Sequence, residues 1–149
     1  MDALKLLKED HDRIKKVLTQ IDETTERAVK TREELFTKAK DQLQVHEAIE
    51  EEILYPALKE HPKAKDLVLE AYEEHNVVDM VMTEIEDTPY DDDTWAAKFT
   101  VMKENLEHHI EEEESDMFDQ CRQVFDDEEL EALGDEMQAR KEELQSQAA

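Results

Sequence analysis

His46-Glu47-Ala48-Ile49-Glu50-Glu51-Glu52-Ile53-Leu54 reads as the middle of an amphipathic helix, with Leu43, Ile53 and Ala57 on its inward stripe. His46 and Glu50 fall on that same stripe, where an imidazole and a carboxylate are costly unless something pairs with them. Residues four apart lie one above the other on a helix, so the two side chains converge. A ring nitrogen and a carboxylate aimed at one interior point invite a metal ion. One pair alone carries little weight, because a lone histidine on an apolar face is more often a hydrogen-bonded core residue.

Working outward, the helix holding this stretch has the seam Phe36, Ala39, Leu43, His46, Glu50, Ile53, Ala57, with Pro56 expected to kink or tighten its last turns. His61-Pro62 ends it, since the residue before proline leaves helical geometry. The helix before it, from about Asp2 or Ala3 to the region of Glu26, has the seam Leu4, Leu7, His11, Ile14, Leu18, Ile21. A third, from about Ala64 to Ile85, has Val68, Ala71, His75, Val78, Met82, Ile85. After the loop Asp87 to Asp93, a fourth has Trp95, Phe99, Met102, Leu106, His109, Glu113, Met117. Asp126 followed by Glu129 resembles a capping box opening a shorter fifth helix, in which Gly134 is a weak point, and the tail from Gln145 to Ala149 is expected to fray.

Four helices therefore each place a histidine in an apolar seam, and two add a glutamate four residues on. His46-x-x-x-Glu50-Glu51 matches His109-x-x-x-Glu113-Glu114, and Leu54-Tyr55 is echoed by Met117-Phe118. The surroundings of His11 correspond likewise to those of His75. The chain reads as two helix hairpins, each supplying His, then His-x-x-x-Glu. Packed with approximate two-fold symmetry, they bring His11, His46, Glu50, His75, His109 and Glu113 to the centre of a bundle. Four imidazoles and two carboxylates exceed what a tetrahedral zinc site takes and suit a pair of six-coordinate iron ions. His108 with Glu112 is the rival to His109. Glu51, Glu52, Glu111 and Glu112 are most simply a solvated face, and Cys121, away from the site, is read as inert.

The expected fold is all-α: an up-down-up-down four-helix bundle with a short C-terminal fifth helix. It forms a single domain over residues 1–149, with the bundle at about 3–122 and the last helix at about 126–145. One Gly and three Pro among 149 residues, with 38% hydrophobic and 41% charged residues, leave little material for strands or loops. The net charge of −25 argues against nucleic acid and anionic membranes as partners. One cysteine, no apolar leader and no membrane-length apolar run suggest a cytoplasmic protein.

In the order and spacing of these residues the chain resembles the hemerythrin family, specifically the bacterial hemerythrin-like (HHE cation-binding) domains, over about Leu4 to Phe118. That resemblance implies two iron ions in an oxo- or hydroxo-bridged non-haem centre. His11 and His46 would hold one ion, His75 and His109 the other, with Glu50 and Glu113 bridging. It also implies a small ligand such as O2, H2O2 or NO. The activities that follow are reaction with O2 or peroxide, including catalase-like scavenging, or alternatively O2, NO or iron sensing without turnover, or iron buffering. Two departures stand out. Oxygen-carrying hemerythrins have a second histidine four residues after the one on the third helix, where this chain has Asp79, so Asp79, Tyr72, Glu47 or solvent must fill that place. They also put the fourth-helix carboxylate five residues after its histidine, which selects Glu114 where the internal repeat selects Glu113. Ferritin-like bundles use Glu-x-x-His pairs. The residues three before the candidate histidines are Lys8, Leu43, Tyr72, Asn105 and Leu106, so that class does not fit.

Overall fold

Each of the four seams forms the buried edge of a helix, and these edges enclose a common core. A computed structural model describes residues 1–148; Ala149, the end of the tail expected to fray, lies outside the described residues. Helix α1 is Ala3–Asp22. Helix α2 has three consecutive segments: Val29–Ile49, a π-helical turn at Glu50–Leu54, and Tyr55–Lys59. Helix α3 is Lys65–Glu86. Helix α4 repeats the plan of α2, with Trp95–Glu112, a π-helical turn at Glu113–Met117, and Phe118–Val124. Helix α5 is Asp127–Ala148. No strand occurs among the described residues, and the all-α bundle with a fifth helix is the observed architecture.

Local chemistry explains the helix ends. Asp2 caps α1 by accepting from the Lys5 amide at 2.8 Å. Asp126 and Glu129 form a reciprocal capping box at α5, at 2.8 and 3.1 Å. The first helix ends earlier than the sequence suggested, at Asp22 rather than in the region of Glu26, and the turn to α2 covers residues 23–28. It is held by Arg32, which is buried, donates to the Thr24 hydroxyl and to the Tyr90 carbonyl, and lies over the Trp95 ring. One side chain thus ties the α1–α2 turn to the α3–α4 loop.

The fifth helix is not short: at 22 residues it equals α3. It packs on α1 and α2, where Gly134 lets the chain pass close, since a Cβ there would meet the Met1 carbonyl oxygen at 2.1 Å. The expected weak point is a close approach of backbones.

The inward stripe of α2 also needs correction. Beyond Glu50 it continues through Leu54 and Leu58, both fully buried, while Ile53 and Ala57 are only partly buried. The π turn adds a residue to one turn, so every later side chain rotates relative to the earlier seam. Pro56 accordingly sits beyond a widened turn, not a tightened one. The core divides into two apolar clusters. One contains Leu4, Leu7, Leu54, Leu58 and Val68, the other Ile14, Leu18, Leu43, Val78 and Leu106. The histidines lie between them along each helix.

Candidate metal centre

His11, His46, Glu50, His75, His109 and Glu113 are all buried, with Glu50 and His11 at 0% exposure. The bundle brings all six together. His46 Nε2 and His75 Nε2 each lie 3.2 Å from Glu50 Oε1. His11 Nε2 lies 3.0 Å from Glu113 Oε1, and His109 Nε2 lies 3.3 Å from Glu113 Oε2. The ring pairs repeat the two-fold plan: His11–His46 and His75–His109 both have centroids 4.8 Å apart, with interplanar angles of 64° and 66°. The rivals are placed elsewhere. His108 is exposed and pairs with Glu112, and Glu114 reaches the far nitrogen of His11.

Every central imidazole is held from behind by a carboxylate at Nδ1. Asp10 holds His46 at 3.1 Å, Glu114 holds His11 at 2.7 Å, Glu51 holds His75 at 2.9 Å and Glu74 holds His109 at 2.8 Å. An Nδ1–H donated to a carboxylate fixes the tautomer and leaves the Nε2 lone pair facing inward. The pattern is itself duplicated. Asp10 and Glu74, each just before a histidine, serve the histidine of their own hairpin's second helix. Glu51 and Glu114, each just after a central glutamate, serve the first-helix histidine of the other hairpin. Glu51 is thus not part of a solvated face, as its sequence context suggests.

The π turns begin at Glu50 and Glu113 themselves. The added residue brings Tyr55 inward, so that its hydroxyl donates to Glu113 Oε2 at 2.7 Å and lies 3.3 Å from His75 Nε2. Its repeat partner Phe118 stacks on His11 and has no hydroxyl. Of the residues considered for the missing third-helix histidine, Tyr72 donates to the backbone carbonyl of Glu51. Glu47 and Asp79 contact one another beside Glu51.

Electrostatics agree with a site built for positive charge. Burial disfavours charged imidazoles, yet the Glu50 charge and the Asp10 hydrogen bond push His46 up to about 10. Glu50 raises His75 to about 8, and Glu113 with Glu74 raises His109 to about 11, in each case against the burial penalty. Burial opposes ionisation of Glu113 too, but its contacts with Glu50, His109 and His11 hold it well below the usual carboxylate range. Asp10 is likewise held low, despite burial, by His46 and by the Lys141 ammonium of α5. Burial pushes the Cys121 thiol up to about 12, consistent with an inert core thiol.

The donor set fits a metal ion on the structure's own terms. His46 Nε2, His109 Nε2 and both oxygens of Glu50 are buried and have no hydrogen-bond partner. Buried nitrogens and oxygens without partners converging on one point are costly unless a cation joins them. His11, His46, Glu50 and Glu113 form one potential ligand group, and Glu50, His75 and His109 another.

A helical bundle with buried histidines and carboxylates converging between its helices defines a metal-binding bundle. The chain belongs to the hemerythrin HHE cation-binding domain family, whose model matches residues 2–121. It is similar to uncharacterised proteins of Mycobacterium bovis and Mycobacterium tuberculosis, each 33% identical over 145 residues, covering 97% of this chain and 88% of the relative. It is also similar to the crystal structure of a hemerythrin HHE cation-binding domain-containing protein from Mycobacterium kansasii, at a TM-score of 0.89 and 33% identity, covering 99% of this chain and 90% of that one. No helix among the described residues is long and apolar enough to cross a membrane.

Proposed function

We propose that this protein is a non-haem di-iron protein that reacts with O2 or H2O2, with catalase-like removal of peroxide as its activity. His11 and His46 would hold one iron ion and His75 and His109 the other, with Glu50 and Glu113 shared between them. The observation that carries this reading is Glu50, whose Oε1 lies 3.2 Å from a histidine of each hairpin. Glu50 also belongs to both potential ligand groups, which favours two ions over one. A nitrogen and oxygen donor set with no thiolate suits a redox-active metal better than a structural zinc ion.

Iron ions held by these histidines and glutamates would supply two-electron redox chemistry toward a small oxygen-containing ligand. The chain's own residues contribute orientation, dryness and a proton. Asp10, Glu51, Glu74 and Glu114 hold the four imidazoles in register. Leucine, valine and methionine layers on both sides exclude bulk water. Tyr55 presents an O–H at Glu113 Oε2, the place from which a proton can pass to a small ligand between the hairpins. The test is O2 release from H2O2 by iron-loaded protein, abolished in His46→Ala and Glu50→Ala. Iron-loaded protein indifferent to peroxide contradicts the reading.

A sensing role has one specific observation in its favour. Lys141 of α5 binds Asp10, which binds His46, so a change at the centre has a direct path to the outermost helix. A partner captured by only one metal state of the protein would favour that role.

A further inference from the structure

We propose that Glu47, Glu51 and Asp79 form a second, outer divalent-cation site on one side of the bundle, through which metal ions reach the buried centre. This rests on the reading of the centre as a metal site. The three carboxylates line a groove of about 520 Å³ at the α2–α3 face, together with Thr83 and Glu86. Ligand atoms of Glu47 and Glu51 lie within 4.8 Å of one another and of His75, and Asp79 adjoins this cluster through its contact with Glu47. Glu47 is only 7% exposed, yet its Oε1 has no hydrogen-bond partner. A buried carboxylate oxygen facing other carboxylates needs either a shared proton or a cation. Lys40, which also lines the groove, pairs with Glu86 at 2.8 Å and does not supply that charge.

The duplicated architecture contains its own control. The equivalent groove on the opposite side is lined by Lys15, Thr19, Glu107, Glu111, Glu114 and Ser115. By the repeat, Glu51 corresponds to Glu114 and Thr83 to Thr19. Asp79 corresponds to Lys15, and Glu47 to the buried apolar Ile110. The opposite groove has three carboxylates of its own, but the buried Glu47 and its neighbour Asp79 are features of one side only, replaced on the other by Ile110 and Lys15. Three carboxylates without nitrogen or sulfur suit hard divalent ions, Mn2+ and Fe2+ among them.

The site also connects to the centre. Glu51 accepts the Nδ1–H of His75 through Oε2, leaving its other oxygen for an outer cation. An ion held there is one side chain away from the buried cluster. Glu51 is itself part-exposed, so the outer position is open to the groove.

The experiment uses the full chain in two steps. In the first, protein with its centre already loaded with iron is titrated with Mn2+, followed by water-proton relaxation. One tight Mn2+ per chain is expected in wild type, with affinity at least about tenfold weaker in E47Q/D79N and unchanged in E107Q/E111Q of the opposite groove. In the second, metal-free protein is mixed anaerobically with Fe2+. E47Q/D79N should fill to the wild-type amount but about tenfold more slowly, which also shows that the variant folds. Equal Mn2+ affinity in wild type and E47Q/D79N overturns the site, as does equal weakening in the opposite-groove variant. An unchanged filling rate overturns the loading role. A centre that takes up no metal in wild type contradicts the reading of the centre; a loaded centre with no outer Mn2+ contradicts this proposal alone.

Discussion

Glu51, on the second helix of one hairpin, accepts a hydrogen bond from His75, on the first helix of the other, at 2.9 Å. The reciprocal bond, Glu114 to His11, is 2.7 Å long. The two hairpins are thus joined at the centre by the carboxylates behind the histidines as well as by those in front.

Removing a carboxylate behind a histidine should weaken metal binding without unfolding the protein. Partners of this kind typically account for 10–100-fold in metal affinity. Glu51→Gln, Glu74→Gln and Glu114→Gln are each expected to fall in that range by chelator competition, with circular dichroism unchanged. Glu52→Gln, whose carboxylate meets only the exposed Arg140, should be silent.

The metal-free protein should lose stability on the alkaline side. His75, His46 and His109 have folded values of about 8, 10 and 11, above the ordinary histidine value of 6.5. Groups raised on folding stabilise fully below the unfolded value, and that contribution disappears as pH rises through the folded values. Glu113 and Asp10 are depressed, so their contribution is present above the ordinary carboxylate range and is lost as pH falls through their folded values. Metal binding needs neutral imidazoles and releases these protons, so it strengthens with pH. The gap in Tm between loaded and metal-free protein should widen steadily from pH 6 to pH 9. A constant gap contradicts the assignment of these histidines as ligands.

Helix α5 should matter to the centre through one side chain. Lys141 is nearly buried against Asp10 and helps keep it ionised. Lys141→Met is expected to lower metal affinity about tenfold, by loosening the Asp10 hold on His46. Arg140→Ala, one residue away, breaks an exposed pair and should change stability by no more than about 0.5 kcal/mol. Equal effects from the two variants would mean that α5 acts only as a cover.

The π turn in α2 gives a direct test of register. Leu54→Ala should cost about 2–5 kcal/mol, because Leu54 is fully buried. Ile53→Ala should cost clearly less, although the uninterrupted helical repeat puts Ile53 in the core. Denaturant unfolding of the metal-free variants distinguishes the two residues.

That reversal marks where the sequence stops being readable. Periodicity places the four histidines and both central glutamates on inward stripes, because a buried polar residue among leucines is conspicuous. It does not reveal a one-residue change of helical pitch, since no Gly or Pro coincides with the start of either π turn. Asp10, Glu51 and Glu74 were hidden for a different reason, and Glu114 was legible only as a rival to Glu113, not as the partner of His11. In a chain with 43 acidic residues, a carboxylate beside a helix seam looks like any solvated one. Only the packing of the helices, within each hairpin for Asp10 and Glu74 and between the hairpins for Glu51 and Glu114, shows which of them turn inward. Tyr55 had a legible signal, its pairing with Phe118 in the repeat, but its hydroxyl gains meaning only once the π turn brings it to Glu113.

In the proposed centre, two metal ions share Glu50. Metal content with an optical spectrum of freshly purified protein tests it most directly, with wild type and Glu50→Ala side by side. Two irons per chain with near-ultraviolet oxygen-to-iron bands are expected in wild type, and one iron or none in the variant. One colourless zinc ion per chain in wild type, or two irons retained without Glu50, would contradict it.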